Sequence, residues 1–517
     1  MRGFRATGWF VSGLVLLTAA SALGRGHKKD DKDKHKFDFA PAPKMMRMPA
    51  RPARMGATPG GAQDIDYARD RIRAGEVPHA KTFTAEGLLS QHDLPLPSTR
   101  KCNQILCLTA AAAHAGLLAQ PNVRYLAQLG FASNLNPKTW HRRPLNLVAV
   151  IDKSGSMSGT PLETVKASLR QIAKQMTPRD QLSIVLYGDR SYVHMQPTRL
   201  THKKRVLRSI DAIQSAGSTA MEAGLSVGYG LATRTAAHFA GTTRVMLFTD
   251  ERPNVGATDK QSFMGMARAA SKRGVGLTTI GVGEQFGAEL ATAISNVRGG
   301  NLFFFPNVGK MKDRFGRDFD TMVTELAYNM KLVIKPNAGY KLVGLYGLPG
   351  DLVHRTKDGG LSMKLETVFP SHDKGGIYFA FAPKGAGALP PKPGPVASAR
   401  IAYVDTQQHR QSDALSFPFV KGRLPVGLSR GRLLVDEITT LKRASVLHRE
   451  QNKTEQAYRL VRALHKRLVE SGDADLAKEV KLVSELDSTL ARLSGHKGEA
   501  QPVLPVQRNL VSGVPVR

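Results

Sequence analysis

The stretch Asp152-Lys-Ser154-Gly-Ser156 sets one carboxylate and two hydroxyls at alternate positions. In a loop, such alternation lets all three oxygens turn toward one centre. Gly155 offers a curl between the two serines with no Cβ penalty. Hard oxygen donors of this kind suit Mg²⁺ or Mn²⁺, Ca²⁺ less well, and do not suit zinc. Two more oxygens stand further along the chain: Thr219, directly after Gly217-Ser218, and Asp250, just past the apolar run Arg244–Phe248. The bland alternative is that Asp152 and Ser154 only cap the helix that follows them.

The elements around these residues favour the metal reading. Leu145–Ile151 is a short apolar run that ends at Asp152, the mark of a buried parallel strand. Further strands are expected at Gln181–Tyr187, Thr243–Thr249, Gly276–Val282 and Asn301–Pro306. Between them lie helical patterns at Pro161–Met176, Lys203–Ile213, Thr219–Thr233, Asp259–Lys272, Ala288–Asn296 and about Lys310–Leu326. Strands alternating with helices of this length make a doubly wound α/β sheet over residues 144–326. In open sheets of this kind the ligand site lies at the carboxyl ends of the strands. Asp152, Thr219 and Asp250 all fall there.

The order Asp-x-Ser-x-Ser, then Thr, then Asp resembles the metal-ion-dependent adhesion site of the von Willebrand factor type A family. Residues 144–326 carry the resemblance, and Gly299–Pro306 looks like the last strand of bacterial members. The resemblance implies a Rossmann-like fold and a dication held by Asp152, Ser154, Ser156, Thr219 and Asp250. It also implies an open coordination position that accepts a carboxylate from a partner protein. The family commonly has Gly after the last Asp, where this chain has Glu251-Arg252. Either side chain would modulate ligand and ion preference. As in related domains, the last helix would be free to shift on ligation.

The remainder of the 517 residues divides by pattern. Residues 1–24 have Arg2 and Arg5, an apolar run from Trp9 to Leu17 and small residues before Gly24. This is the form of an export signal, which places the protein in the periplasm or outside the cell. The alternative is an uncleaved segment that anchors it. Residues 25–61 are Lys-, Asp-, Met- and Pro-rich, as expected of a disordered basic linker. Residues 62–143 hold short helices and strands that would join a β-sandwich, whose main part is expected over 327–425. Its last strand is expected at Leu415–Val420. Residues 426–494 carry apolar stripes at helical spacing and would form a helical hairpin or bundle, and 495–517 a loose tail.

Cys102 and Cys107 are the chain's two cysteines. Export would allow them to pair, whereas on one extended strand they would point to opposite faces. Pairing therefore stays open. The net charge of +32 favours anionic partners. No phosphate-binding loop or HExxH motif occurs, and Gly281–Gly287 departs from the dinucleotide spacing. A nucleotide cofactor is not expected, nor is catalysis. The function expected is metal-dependent binding of a protein carboxylate. The alternatives are a basic surface for anionic envelope polymers or nucleic acid, and a structural scaffold in an envelope assembly.

Overall fold

The computed structural model describes residues 56–58, 65–89, 91–97, 101–136, 138–218, 220–250, 257–282, 297, 299–305, 308–348, 353–371, 376–385 and 394–496. The stretches expected to be an export signal and, for the most part, a basic linker and a loose tail therefore lie outside the described residues. So do Thr219, Glu251, Arg252 and the helix expected at Ala288–Asn296.

Before the α/β unit the chain forms β1 (Gly56–Thr58), α1 (Asp66–Arg73), α2 (Ala85–Leu89), β2 (Cys107–His114) and β3 (Tyr125–Ala132). The α/β unit follows. It comprises β4 (Leu145–Asp152), α3 (Thr160–Gln175), β5 (Gln181–Tyr187), β6 (Tyr192–Arg199), α4 (Lys203–Asp211) and α5 (Met221–Ala236). It continues with β7 (Thr242–Thr249), α6 (Ala257–Lys272), β8 (Val275–Val282), β9 (Gly300–Phe305) and α7 (Val308–Val323). Its six strands run in the order β6-β5-β4-β7-β8-β9, with β6 alone antiparallel to its neighbour. Pro197 is tolerated in β6 because an edge strand can spare an N–H.

Helices cover both faces of this sheet. Apolar residues of α3, α4 and α7 share one core, and those of α5 and α6 share the other. That double cover is why all eight residues of β4 are buried. Gly159, at φ 75°, turns the chain into α3, and Pro161 sits in its first turn.

Two buried arginines fasten α7 to the rest. Arg142 makes a paired contact with Asp180 (2.8 and 2.7 Å), reaches Asp320 of α7 (2.6 Å) and stacks over Phe319. Arg244, fully buried, donates to the carbonyls of Val323, Leu277 and Gly299 and to Glu325 (2.7 Å). Its guanidinium lies 5.3 Å from the Phe369 ring centre, which ties the α/β unit to the neighbouring sheet.

That sheet takes β1–β3 together with β10 (Ala327–Pro336), β11 (Tyr340–Tyr346), β12 (Val353–Arg355), β13 (Leu361–Ser371), β14 (Ile377–Pro383), β15 (Ala397–Asp405) and β16 (Arg410–Ser416). The order β11-β14-β3-β1-β13-β10-β15-β16, with β2 on β3 and β12 on β13, is antiparallel throughout. The sheet folds over on itself about a shared apolar core. Near its ends, the Leu108 amide of β2 donates to Asp413 of β16 (2.7 Å).

Two local features differ from the sequence expectations, and a third decides a point the sequence leaves open. Gly56–Thr58, in the stretch whose composition suggests a polar linker, forms β1 between β3 and β13, held by backbone pairing that leaves no side-chain signature. The last strand of the sheet is Arg410–Ser416, not Leu415–Val420: the Asp405 carboxylate accepts the amides of Gln407 and His409 (both 2.9 Å) and turns the chain earlier. Cys102 and Cys107 are bonded, because the residues between them bend before β2 begins and supply the turn that one straight strand would deny.

The C-terminal helices are α8 (Val426–Arg449), α9 (Thr454–Ser471) and α10 (Ala477–Leu493). Their core also takes Ile65, Ile72, Leu88, Leu89 and Leu94, so α1 and α2 belong with the helices and only the strands of residues 62–143 join the sheet. Arg69 of α1 and His92 both reach the buried Glu479 of α10 (2.6 and 3.0 Å). Among the described residues no helix is long and apolar enough to cross a membrane.

Candidate functional site

β4 and β7 are parallel neighbours, with Ile151 opposite Phe248. Their carboxyl ends therefore deliver Asp152 and Asp250 to the same edge. Asp152 is fully buried. Its Oδ1 accepts the Ser154 amide (2.9 Å), and its Oδ2 accepts the hydroxyls of Thr249 (3.0 Å) and Tyr187 (3.2 Å). These contacts fix the carboxylate before any ligand arrives. The Ser154 and Ser156 hydroxyls lie 3.0 Å apart, and Ser156 Oγ donates to Asp250 Oδ1 (3.2 Å). Four of the five sequence-derived oxygens thus form one connected set, and the fifth, Thr219, lies outside the described residues.

Neither Asp152 nor Ser154 caps α3. The residue before that helix is Gly159, and no side chain caps it. Asp152 and Asp250, linked through Ser154 and Ser156 in turn, put two carboxylates at one edge that need a counter-charge. Burial pushes the Asp250 carboxyl above the usual carboxylate range, the Ser156 hydrogen bond opposes that, and the negative charge of Asp152 adds to it. Among the described residues, no Lys or Arg forms an ion pair with either aspartate. No cluster of three or more His, Cys, Asp or Glu exists there either, so a metal would be held by two carboxylates and hydroxyls. An all-oxygen set with two negative charges fits a hard dication.

The loop that leads to Thr219 is fastened to the Asp-x-Ser-x-Ser loop by its backbone. The Ala216 amide donates to Lys153 O (2.6 Å), the Gly155 amide to Gly217 O (2.9 Å), and Lys153 Nζ to Ala216 O (2.8 Å). Asp189, two residues past β5, accepts the Ser218 amide (2.7 Å). Hydrogen bonds from the Ser218 amide and hydroxyl hold its carboxyl below the usual range, against a small effect of burial, and Lys153 helps. Gly217 sits at φ 90°, and a Cβ there would meet the Asp189 carboxylate at 2.3 Å. By contrast, Gly155 is not in the left-handed region, and a Cβ on it would meet nothing nearer than 3.8 Å. The glycine that the site requires is therefore Gly217. Sequence reasoning missed Tyr187, Asp189 and Thr249. The available signal was positional, since all three end or follow strands whose carboxyl ends face the site.

The strand order, the single antiparallel edge and this edge-of-sheet cluster agree with the sequence comparison, in which residues 146–317 match the family model of the von Willebrand factor type A domain. This stretch is a type A domain. Over 197 residues the chain is 30% identical to the Escherichia coli protein YfbK, covering 38% of this chain and 34% of that protein. Over 160 residues it is 25% identical to human inter-alpha-trypsin inhibitor heavy chain H4, covering 30% of this chain and 17% of the heavy chain. The chain thus spans only about a third or less of these two relatives. Among solved structures, a von Willebrand factor type A protein from Catenulispora acidiphila aligns with a TM-score of 0.44 at 14% identity, over 75% of this chain and 90% of that one. Type A domains are usually interaction modules, and they often bind a divalent metal at this edge of the sheet.

Proposed function

We propose that the type A domain holds Mg²⁺, or Mn²⁺ in its place, through Asp152, Ser154, Ser156, Thr219 and Asp250, and uses it to capture a carboxylate of a partner protein. The observation that carries this reading is the gathering of Asp152 and Asp250 at one strand edge, linked through Ser154 and Ser156, with no Lys or Arg ion-paired to either among the described residues. A dication there relieves the repulsion between the two carboxylates. With only two anionic ligands it keeps net positive charge and takes a further anionic oxygen at its open position. The chain's own residues supply position: Tyr187 and Thr249 aim Asp152, and Asp189 holds the loop that carries Thr219. Glu251 and Arg252, directly after Asp250, tune the charge met by the partner. The protein acts as an exported binding module and not as an enzyme.

Thermal unfolding with and without Mg²⁺ tests this, because an ion bound only by the folded state must stabilise it. At a hundredfold excess over Kd the gain is about 2.7 kcal/mol. Wild type should rise in Tm, while Ser156→Ala and Asp250→Asn should fold but respond weakly or not at all. Partner capture from an extracellular fraction should then be lost on chelation. An identical response in wild type and both variants would remove the site from consideration.

A further inference from the structure

The outer face of the sheet strands β13, β10, β15 and β16 is open to solvent and cationic. Lys364 of β13 and Lys331 of β10 are direct cross-strand partners, both exposed. Directly opposed side chains on one face lie about 4.5–5.5 Å apart at Cβ, where like charges destabilise a sheet. Arg400 of β15 pairs with Val333, two residues along from Lys331, which places it diagonally from that lysine on the same face. Arg410 of β16, opposite Val404, lies on the other side of the Lys331–Ala402 line from Arg400, so the four cations form a zigzag about that line. Among the described residues none of these four cations has an ion-pair partner, whereas Lys335 on the same face is matched by Asp358 at 3.5 Å. Between the cations stand Ser362, Ala402, Ser412 and Ala414 with the half-buried Val333 and Val404. Glu366, two residues along β13 from Lys364, sits on the same face and leaves the four-cation group with a positive balance.

Two lysines opposed across neighbouring strands point to an anion that joins them. We infer that this face binds a linear polyanion with closely spaced phosphate groups, laid across the strands. Its features exclude two other anionic partners. The exposed large apolar side chains among the described residues are Tyr192, Val426 and Leu493, and none lies on this face. It therefore has no ring for a nucleobase to stack on and no apolar wedge to enter a bilayer. The four charges lie within four adjacent strands, about 4.8 Å apart, a footprint suited to a single chain.

The test uses the full chain with labelled long-chain polyphosphate, in EDTA so that the metal site takes no part, over a series of KCl concentrations. Wild type should bind with steep salt dependence. Lys331→Thr/Lys364→Thr should lose about tenfold in affinity, and the salt slope should fall by about 1.4 for two lost phosphate contacts. Its Tm should equal or exceed that of wild type, since a repulsive pair has gone. Lys453→Gln/Lys478→Gln, equal in charge change but on the helical unit, should bind as wild type. Should the first variant fail to fold, Arg400→Gln/Arg410→Gln supplies the same measurement from the neighbouring strands. The inference is overturned by absent binding, by equal loss in the helical control, or by tighter binding to duplex DNA or phosphatidylglycerol vesicles at equal phosphate.

Discussion

Asp180 offers the sharpest check on how the type A domain is held together. Its buried carboxylate receives both terminal nitrogens of Arg142 (2.8 and 2.7 Å), the amides of Leu145 (2.7 Å) and Thr177 (2.6 Å), and the Thr177 hydroxyl (3.0 Å). It thereby fixes the start of β4, the turn into β5 and, through Arg142, helix α7. Asp180→Ala leaves the buried Arg142 guanidinium with the more accessible Asp320 as its one remaining ion-pair partner among the described residues, beside the Arg143 carbonyl and the Phe319 ring, and removes the acceptor of two backbone amides. Removing one partner of a buried pair costs about 3–5 kcal/mol. At about 2–4 °C per kcal/mol for a domain of this size, the Tm should fall by about 6–20 °C. The sign of the pH dependence follows from the charge. Burial alone would raise the Asp180 pKa, but Arg142 and the two amides outweigh it and bring the carboxyl below its ordinary value. The unfolded chain therefore takes up a proton first as the solution is acidified. The stabilisation is present above the unfolded pKa of about 4 and disappears as pH falls through the native one. The gap between wild type and Asp180→Ala should be widest near pH 7 and narrow towards pH 3, followed by calorimetry or circular dichroism across that range. A loss below about 1 kcal/mol at pH 7, or a gap that does not shrink in acid, would refute the reasoning.

Two further outcomes probe different links. Asp189→Ala should leave the Tm without metal close to wild type but weaken Mg²⁺ about 10–100-fold, as loss of a group that orients a ligand does. The midpoint of the Mg²⁺-dependent rise in Tm measures it, and rescue by Asp189→Asn, which can still accept the Ser218 amide, separates positioning from charge. In the helical unit, burial and then the adjacent Glu479 push the Glu437 carboxyl well above its usual range. The native state thus holds a proton that the unfolded chain releases, and stability declines as pH rises from the ordinary carboxyl range toward the native pKa. Glu437→Gln should match wild type near pH 4 and exceed it by about 1–3 kcal/mol at pH 8; equal stability at both pH values would show that Glu437 is not a buried neutral acid.

What the amino-acid pattern makes legible is whatever one element determines by itself. Leu145–Ile151 announces a doubly covered strand because every side chain in it except Asn146 is apolar, and Pro161 with the periodic apolar residues after it announces α3. Cooperation between distant segments is less visible. Nothing in Gly56-Ala-Thr58 marks it as a strand, since its pairing uses backbone groups that every residue carries. The residues 65–97 look like neighbours of the sheet by chain order, yet their apolar stripe completes the core of helices more than 300 residues away. Arg69 and Glu479, which join across that boundary, are unremarkable charges in their own stretches.

The same distinction explains the two glycines of the metal-site loops. Gly155 stands inside the motif and invites a local account, a tight curl between two serines, yet the backbone there is one that any residue could adopt. Gly217 stands in an ordinary loop, and its need for hydrogen in place of a side chain comes from Asp189, a carboxylate 28 residues earlier. That carboxylate approaches because it accepts the amide of Ser218, the residue directly before Thr219. The chemistry-bearing residues are thus written locally, while the residues that aim them are set by contacts between loops that only the folded sheet brings side by side. A Gly217→Ala chain should accordingly retain the fold of the sheet and lose the ion response, whereas Gly155→Ala should keep both.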